Sequence, residues 1–250
     1  MERIRKPFQG VLNIVRFNWH LYIFSLCIIL LILSLVYFIP KKYDALLFIA
    51  CSLIMTTTII SLLVSFYIYD LSDLYTFNWL NKSHINPAKI ININAGFDET
   101  SALLKEKYPN ENLQVFDFYD AERHTEVSIK RARAAYPNTI NITTSAIPLS
   151  NDTIDIIFLI LAAHEIRNDV ERGAFFNELK RIMAPAGKII VTEHLRDLPN
   201  FLAYTIGFFH FHSRSTWQKT FAQAGIIINE EIKITPFITT FILQKNGTTT

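Results

Sequence analysis

The chain has 250 residues, half of them hydrophobic, and a formal net charge of +2. That length allows one large domain or two small ones, and the hydrophobic fraction exceeds what a soluble enzyme of this size needs. A charge so near neutrality gives no global argument for nucleic acid, which is not expected as a partner; the basic residues matter by position.

Residues 1–18 form a basic arm carrying Arg3, Arg5, Lys6 and Arg16. From Pro7 to His20, Phe8, Val11, Leu12, Val15 and Trp19 are mixed with basic residues, a pattern that suits an amphipathic helix on the inner leaflet or a loosely ordered tail. Residues 19–69 read as a transmembrane hairpin. Leu21 to Ile39 and Ala45 to Tyr69 carry no charged residue, and each run exceeds the roughly 18 apolar residues that mark a spanning helix. Pro40-Lys41-Lys42-Tyr43-Asp44 connects them, and Trp19, Tyr22, Tyr37 and Tyr67 sit near the span ends as interfacial anchors would. The first run is too long for a signal-peptide core and a second span follows at once.

Four basic residues ahead of the first span, against Lys41 and Lys42 in the loop, place the N-terminus in the cytoplasm. Two crossings return the chain there, so the soluble part is expected in the cytoplasm too, at the inner membrane if the source is bacterial. Cys27 and Cys51 lie within the apolar runs and are expected to be small buried hydrophobes, not a disulfide or metal pair. Residues 70–87, punctuated by Leu74, Phe77, Trp79 and Leu80, predict a linker helix covering one side of the fold.

Residues 88–247 alternate apolar runs with helical patterns. Strands are predicted at Lys89 to Asn94, Leu113 to Phe118, Thr139 to Thr143, Thr153 to Leu161 and Lys188 to Glu193, with helices at Glu99 to Tyr108, Ala121 to Tyr136 and Val170 to Met183. Such alternation implies a parallel sheet covered on both faces. Helices at Phe201 to Phe209 and Thr216 to Ala224 follow, then strands at Ile226 to Ile234 and Phe237 to Gln244, so closely joined that they must be antiparallel.

The first strand ends in Asn94-Ala95-Gly96-Phe97-Asp98. A dinucleotide fingerprint needs three glycines there so that the backbone can approach a pyrophosphate. Only Gly96 is present, and a carboxylate at Asp98 would repel a diphosphate. A nucleoside with a cationic attachment tolerates Asp98, and S-adenosylmethionine is such a molecule. Its ribose needs a carboxylate about twenty residues on; Asp117 stands there and is favoured over Asp120.

Three motifs then carry a resemblance. Pro148 to Phe158 (PLSNDTIDIIF) resembles the proline, acidic, strand motif of class I S-adenosylmethionine-dependent methyltransferases. Glu178 to Val191 (ELKRIMAPAGKIIV) is similar to their ELxRVLxPGGxLxL motif, and Phe221 to Gly225 to the helix end before their sixth strand. The likeness covers Lys89 to Lys245. It implies a Rossmann-like methyltransferase sheet, mostly parallel with an antiparallel C-terminal hairpin, preceded by the two transmembrane helices. It also implies S-adenosyl-L-methionine as cofactor, held by Asn94, Ala95, Gly96, Phe97, Asp98 and Asp117, with Thr144 and Ser145 taking the adenine contact where the family often has an acidic residue. The usual acidic-x-Gly-x-Gly-x-Gly loop is replaced by a sequence closer to the GAGxDT variant, and Ala186 stands where PGG has its first glycine.

The fourth strand ends in His164-Glu165 and the fifth in Glu193-His194, which bring two His-Glu pairs to the sheet mouth, where ligands of open α/β sheets bind. A histidine there suits proton removal from an acceptor held in line with the sulfonium methyl, so His164, Glu165 and His194 are the catalytic candidates. His210 and His212 are placed to join them. No HExxH spacing exists and no metal is expected. Lys130, Arg131 and Arg133 read as a solvated helix face. The segment Leu198 to His212 is apolar for a surface connection; it is either core or the lining of a pocket for a hydrophobic acceptor such as a quinone, isoprenoid or lipid. A membrane-anchored methyltransferase is therefore expected. An NAD(P)-dependent oxidoreductase and a non-catalytic membrane-tethered scaffold are the alternatives.

Overall fold

The computed structural model describes residues 5–83, 88–124, 127–133 and 140–247. Parts of the predicted linker and of the helix from Ala121, the first residue of the third predicted strand, and Arg3 in the basic arm lie outside the described residues.

Among the described residues, seven strands form one sheet: β1 (Lys89–Asn94), β2 (Asn112–Asp117), β3 (Ile140–Asn141), β4 (Ile154–Ile160), β5 (Met183–His194), β6 (Ile226–Thr235) and β7 (Ile238–Lys245), in the spatial order β3-β2-β1-β4-β5-β7-β6. The first five pair in parallel, and β7 runs antiparallel to both β5 and β6. This is the Rossmann-like, mostly parallel sheet with an antiparallel C-terminal hairpin that the sequence implied. The central strand β4 is apolar because it is covered twice. Ile154, Ile157 and Leu159 enter the core packed by Phe175, Phe176 and Leu179 of α6 (Asp169–Ile182) and Trp217 and Phe221 of α8 (Arg214–Gln223). Ile156, Phe158 and Ile160 face the opposite core, built from Phe77, Trp79, Leu80 and Leu104. Each such side chain contributes about 1.5–3 kcal/mol of burial.

The linker therefore covers one face, as expected, but as short 3₁₀ turns at Asp73–Tyr75 and Asn78–Ser83 instead of one helix. The motif residues around β4 are explained by packing. Arg181 donates to the carbonyls of Ile147 and Leu149, and Glu178 accepts from the Ile147 amide, so α6 fixes the loop entering β4. Gly187 is required because a Cβ there would stand 2.7 Å from the Ile154 carbonyl.

Upstream lie α1 (Gln9–Phe17), α2 (Trp19–Leu35) and α3 (Asp44–Phe66). Among the described residues one helix, Lys41–Tyr75 including its irregular end, is long and apolar enough to cross a membrane. The first predicted span differs: α2 has 17 residues and meets α1 at a 68° bend. Two crossings are therefore not shown. Cys51 is buried as expected, whereas Cys27 lies on the exposed side of α2.

Where it is described, the basic arm forms the helix α1, leaving Phe8, Leu12 and Val15 exposed, and is tied to the domain by polar contacts. The Asp70 carboxylate accepts from the Gly10 and Val11 amides at 2.8 Å, capping the start of α1. Asn13 donates to Glu99, which also accepts from Tyr75 and pairs with Arg5 at 3.4 Å. These bonds lay α1 over the loop that follows β1.

Candidate active site

The chain builds the sheet outward from β1 through β2 to β3, then returns to start β4 on the other side of β1. Connections diverge at that point, which opens a crevice beyond the carboxyl ends of β1 and β4. Two groups of polar residues stand there.

The first follows β1 and β2. Gly96 has φ +87°, a left-handed conformation that glycine adopts without strain, and its amide donates to Asn94 Oδ1 at 2.9 Å. The other amide atom, Asn94 Nδ2, is buried and has no hydrogen-bond partner among the described residues. Asp98 turns inward: its Oδ1 accepts from the Thr100 and Ser101 amides and so caps α4 (Ser101–Lys107). That is why α4 starts two residues later than predicted.

Asp117 sits opposite Asn94 in the β1–β2 register and is buried. Burial raises its pKa, opposed by hydrogen bonds from the Tyr119 and Gly96 amides and by the Arg133 charge. Arg133 pairs with it at 3.0 Å, donates to Asn141 and lies over the Tyr119 ring. Its aliphatic carbons also press on Gly96, 3.0 Å from where a Cβ would stand. Within the basic cluster Lys130 is exposed as a solvated face would have it, whereas Arg133 is engaged as above and Arg131 donates to the Phe17 carbonyl and contacts His20, holding α1 against α5 (Val127–Arg133). Phe97 meets Phe17 edge-on at 5.3 Å. Thr144 donates to Glu171 at 2.7 Å, and with Ser145, Arg123, Arg167 and Asn168 these residues line a cavity of about 540 Å³.

The second group follows β4 and β5. His164 Nδ1 lies 2.6 Å from Glu193 Oε2, and His164 Nε2 lies 3.1 Å from Glu165 Oε1. His210 Nε2 approaches the same Glu165 oxygen at 3.2 Å. Burial alone would lower the His164 pKa, but Glu193 and Glu165 overcome it and raise the pKa well above the ordinary value. Burial would likewise raise Glu165, yet His164 and His210 hold it below the usual carboxylate range. A protonated His164 does not act as a base.

His194 stands apart. Its Nε2 contacts the Tyr69 hydroxyl at 2.8 Å and its Nδ1 contacts Asn200 at 3.0 Å, while its ring stacks on Phe211. Burial lowers its pKa to about 4, so it is neutral and ties the end of the long apolar helix to the sheet. His212 is turned away toward Arg172 and Trp217.

The structure thus brings Asn94, Ala95, Gly96, Phe97 and Asp117 together, and separately His164 with Glu165. Arg133 was missed as a site residue because its charge looked like surface. Glu193, expected as the partner of His194 at the end of β5 but not as a catalytic candidate, pairs with His164 instead.

No protein-family model matches the chain, and no curated protein sequence matches it. Solved structures of similar fold exist. The PH0226 protein from Pyrococcus horikoshii aligns over 70% of this chain and 89% of its own, at 15% identity and a TM-score of 0.51. A SAM-dependent methyltransferase from Aquifex aeolicus aligns over 70% of this chain and 93% of its own, at 16% identity and a TM-score of 0.49. What the chain shares with the Pyrococcus horikoshii protein at this identity is the fold.

Proposed function

We propose that the chain is a membrane-anchored S-adenosylmethionine-dependent methyltransferase acting on a hydrophobic small molecule. One observation carries the cofactor: Asn94 Nδ2 is a buried donor without a partner, beside a left-handed Gly96 and across from Asp117. An unsatisfied buried donor costs about 1–3 kcal/mol unless a ligand accepts from it. The residues fit the cofactor once the Arg133 side chain withdraws. Asp117 then accepts from the ribose hydroxyls, and Thr144 and Ser145 lie toward the adenine end. The bound cofactor supplies an activated methyl group, and the protein's task is to align an acceptor at the mouth of β4 and β5. Titrating S-adenosylhomocysteine into the purified full chain by calorimetry tests this: binding is expected, and lost on Asp117→Ala.

Anchoring is supported by the apolar side chains that α2 and α3 leave exposed, among them Phe24, Leu30, Leu31, Leu46, Phe48 and Leu53. Lipid, not water, is the solvent for such a surface. With α2 and α3 taken as a two-span hairpin, the positive residues ahead of α2 put the N-terminus and the catalytic domain in the cytoplasm. The acceptor class is supported by α7 (Leu198–Tyr204), which packs beside α3 and exposes Leu198, Phe201 and Leu202, with Ile206 and Phe209 following. Membrane extracts given labelled S-adenosylmethionine are expected to yield a methylated apolar product; label passing only to water-soluble acceptors would overturn the acceptor class.

A second reading is favoured by one observation: Arg133 already occupies Asp117 and lies on Gly96. A scaffold that no longer binds cofactor would keep that ion pair, and the same titration, giving no heat, would select it.

A further inference from the structure

The cluster beyond β4 and β5 is built as a ligand set for a cation. His164, Glu165 and His210 each direct one ligand atom to a common point, all within 4.8 Å of one another. They come from two places far apart in sequence: His164 and Glu165 from the 3₁₀ turn Ala163–Glu165 that follows β4, and His210 from the last residue of the turn Thr205–His210. His210 is held there by its backbone, since Arg167 donates to the carbonyls of Phe209 and His210 and Arg196 to those of Phe209 and Phe211.

We propose that His164 Nε2, Glu165 and His210 Nε2 bind one divalent transition-metal ion, zinc being the ion this donor set suits. Two imidazoles and a carboxylate, with a further position open, is the ligand set of catalytic zinc sites. Around tetrahedral zinc, neighbouring ligand atoms stand about 3.4 Å apart, and the two His–Glu165 separations here are 3.1 and 3.2 Å. Small outward movements of both rings admit the ion.

Three observations favour a metal over a hydrogen-bonded cluster alone. Both Nε2 atoms are aimed at the same Glu165 oxygen. Glu193, completely buried, holds His164 Nδ1 at 2.6 Å and also accepts from the His164 amide. A carboxylate behind a histidine fixes the tautomer that presents Nε2 to a metal. Finally, Glu165 and Glu193 are two buried carboxylates, matching the charge of a dication. On binding, the metal replaces the proton on His164 Nε2, which leaves to solvent while Nδ1 keeps its proton toward Glu193, and His210 ligates as the neutral tautomer with its proton on Nδ1.

The test uses the full chain in detergent, stripped with chelator and dialysed against buffered Zn²⁺, with bound metal measured by mass spectrometry. One zinc per chain is expected, together with a rise in Tm on adding zinc and a cobalt derivative that absorbs in the visible. His210→Ala should weaken zinc binding by at least about tenfold, and Glu193→Gln by roughly 10–100-fold. His20→Ala, which removes a histidine held by Arg131, should leave it unchanged. Absence of stoichiometric zinc and of any Tm shift in the wild-type chain would overturn the proposal. So would a folded His210→Ala chain that keeps wild-type affinity. Because metal content is measured without S-adenosylmethionine, either result is independent of the methyltransferase reading.

Discussion

The two halves of the sheet mouth are satisfied in opposite ways. Over β1 and β2 the polar groups are met by backbone amides and by Arg133, a long side chain about one third exposed. Over β4 and β5, His164, Glu165 and Glu193 are buried and answer one another. The first half can be opened by one side-chain rotation; the second cannot be opened without leaving a buried charge unpaired. The difference is what the proposed readings need: an exchanging organic ligand over the half that opens easily and a fixed centre over the half that does not.

The largest effect that would sharpen this contrast is expected from Glu193→Gln. Breaking a buried pair from one side costs about 3–5 kcal/mol, so a Tm fall of roughly 10 °C is expected, with S-adenosylhomocysteine binding retained. A fall of only a degree or two would mean that the second half is less locked than its geometry implies. Asp117→Ala should do the reverse. Losing charge-assisted bonds worth about 1.5–3 kcal/mol weakens cofactor binding roughly 10–150-fold by calorimetry, with a smaller Tm fall than Glu193→Gln, because Arg133 regains water and only the Tyr119 amide loses its acceptor.

The pH dependence separates the histidines. His194 is neutral when folded, with a pKa of about 4 against an ordinary 6.5. Between those values the unfolded chain binds the proton and the folded chain does not, so stability falls as pH drops from 6.5 toward 4. His164 is raised instead, so its contribution is complete below 6.5 and is lost as pH climbs toward its folded value. Tm measured against pH should therefore decline on the acid side less steeply in His194→Gln. Tyr69→Phe removes the Tyr69–His194 bond and should cost about 1 kcal/mol, a Tm fall of roughly 2–4 °C. The smallest effect is expected from Arg133→Gln, which frees Asp117 and should tighten S-adenosylhomocysteine binding by up to about fivefold, the scale of a partly exposed ion pair.

Strands β1 and β4 were legible because they are apolar runs bounded by polar turns, and the antiparallel hairpin because its connection is short. The start of β5 was not. Met183 pairs with Ile154, and the chain through Ala184 to Gly187 loops out before Lys188 rejoins opposite Ile156. That depends on a neighbouring strand, not on local pattern. Likewise α7 begins at Leu198, not Phe201, because Asp197 caps it and Pro199 sits in its first turn, and it ends where Thr205 takes φ +49°. In the site, Gly96 and Asp117 were legible from their places at strand ends. The pairing of His164 with Glu193 was not, since it arises from the β4–β5 register that sets Ile160 beside Thr192. The covering of the Gly96 loop by α1 follows from Asp70 and Glu99, charges that have no periodicity to betray their partners.

The central claim is that the β1–β2 half binds S-adenosylmethionine. Calorimetric titration of S-adenosylhomocysteine into the full chain in detergent tests it most directly. The account predicts one saturable site, weakened roughly 10–150-fold by Asp117→Ala and retained in Glu193→Gln. No binding to the wild-type chain, or binding indifferent to Asp117→Ala, would contradict it.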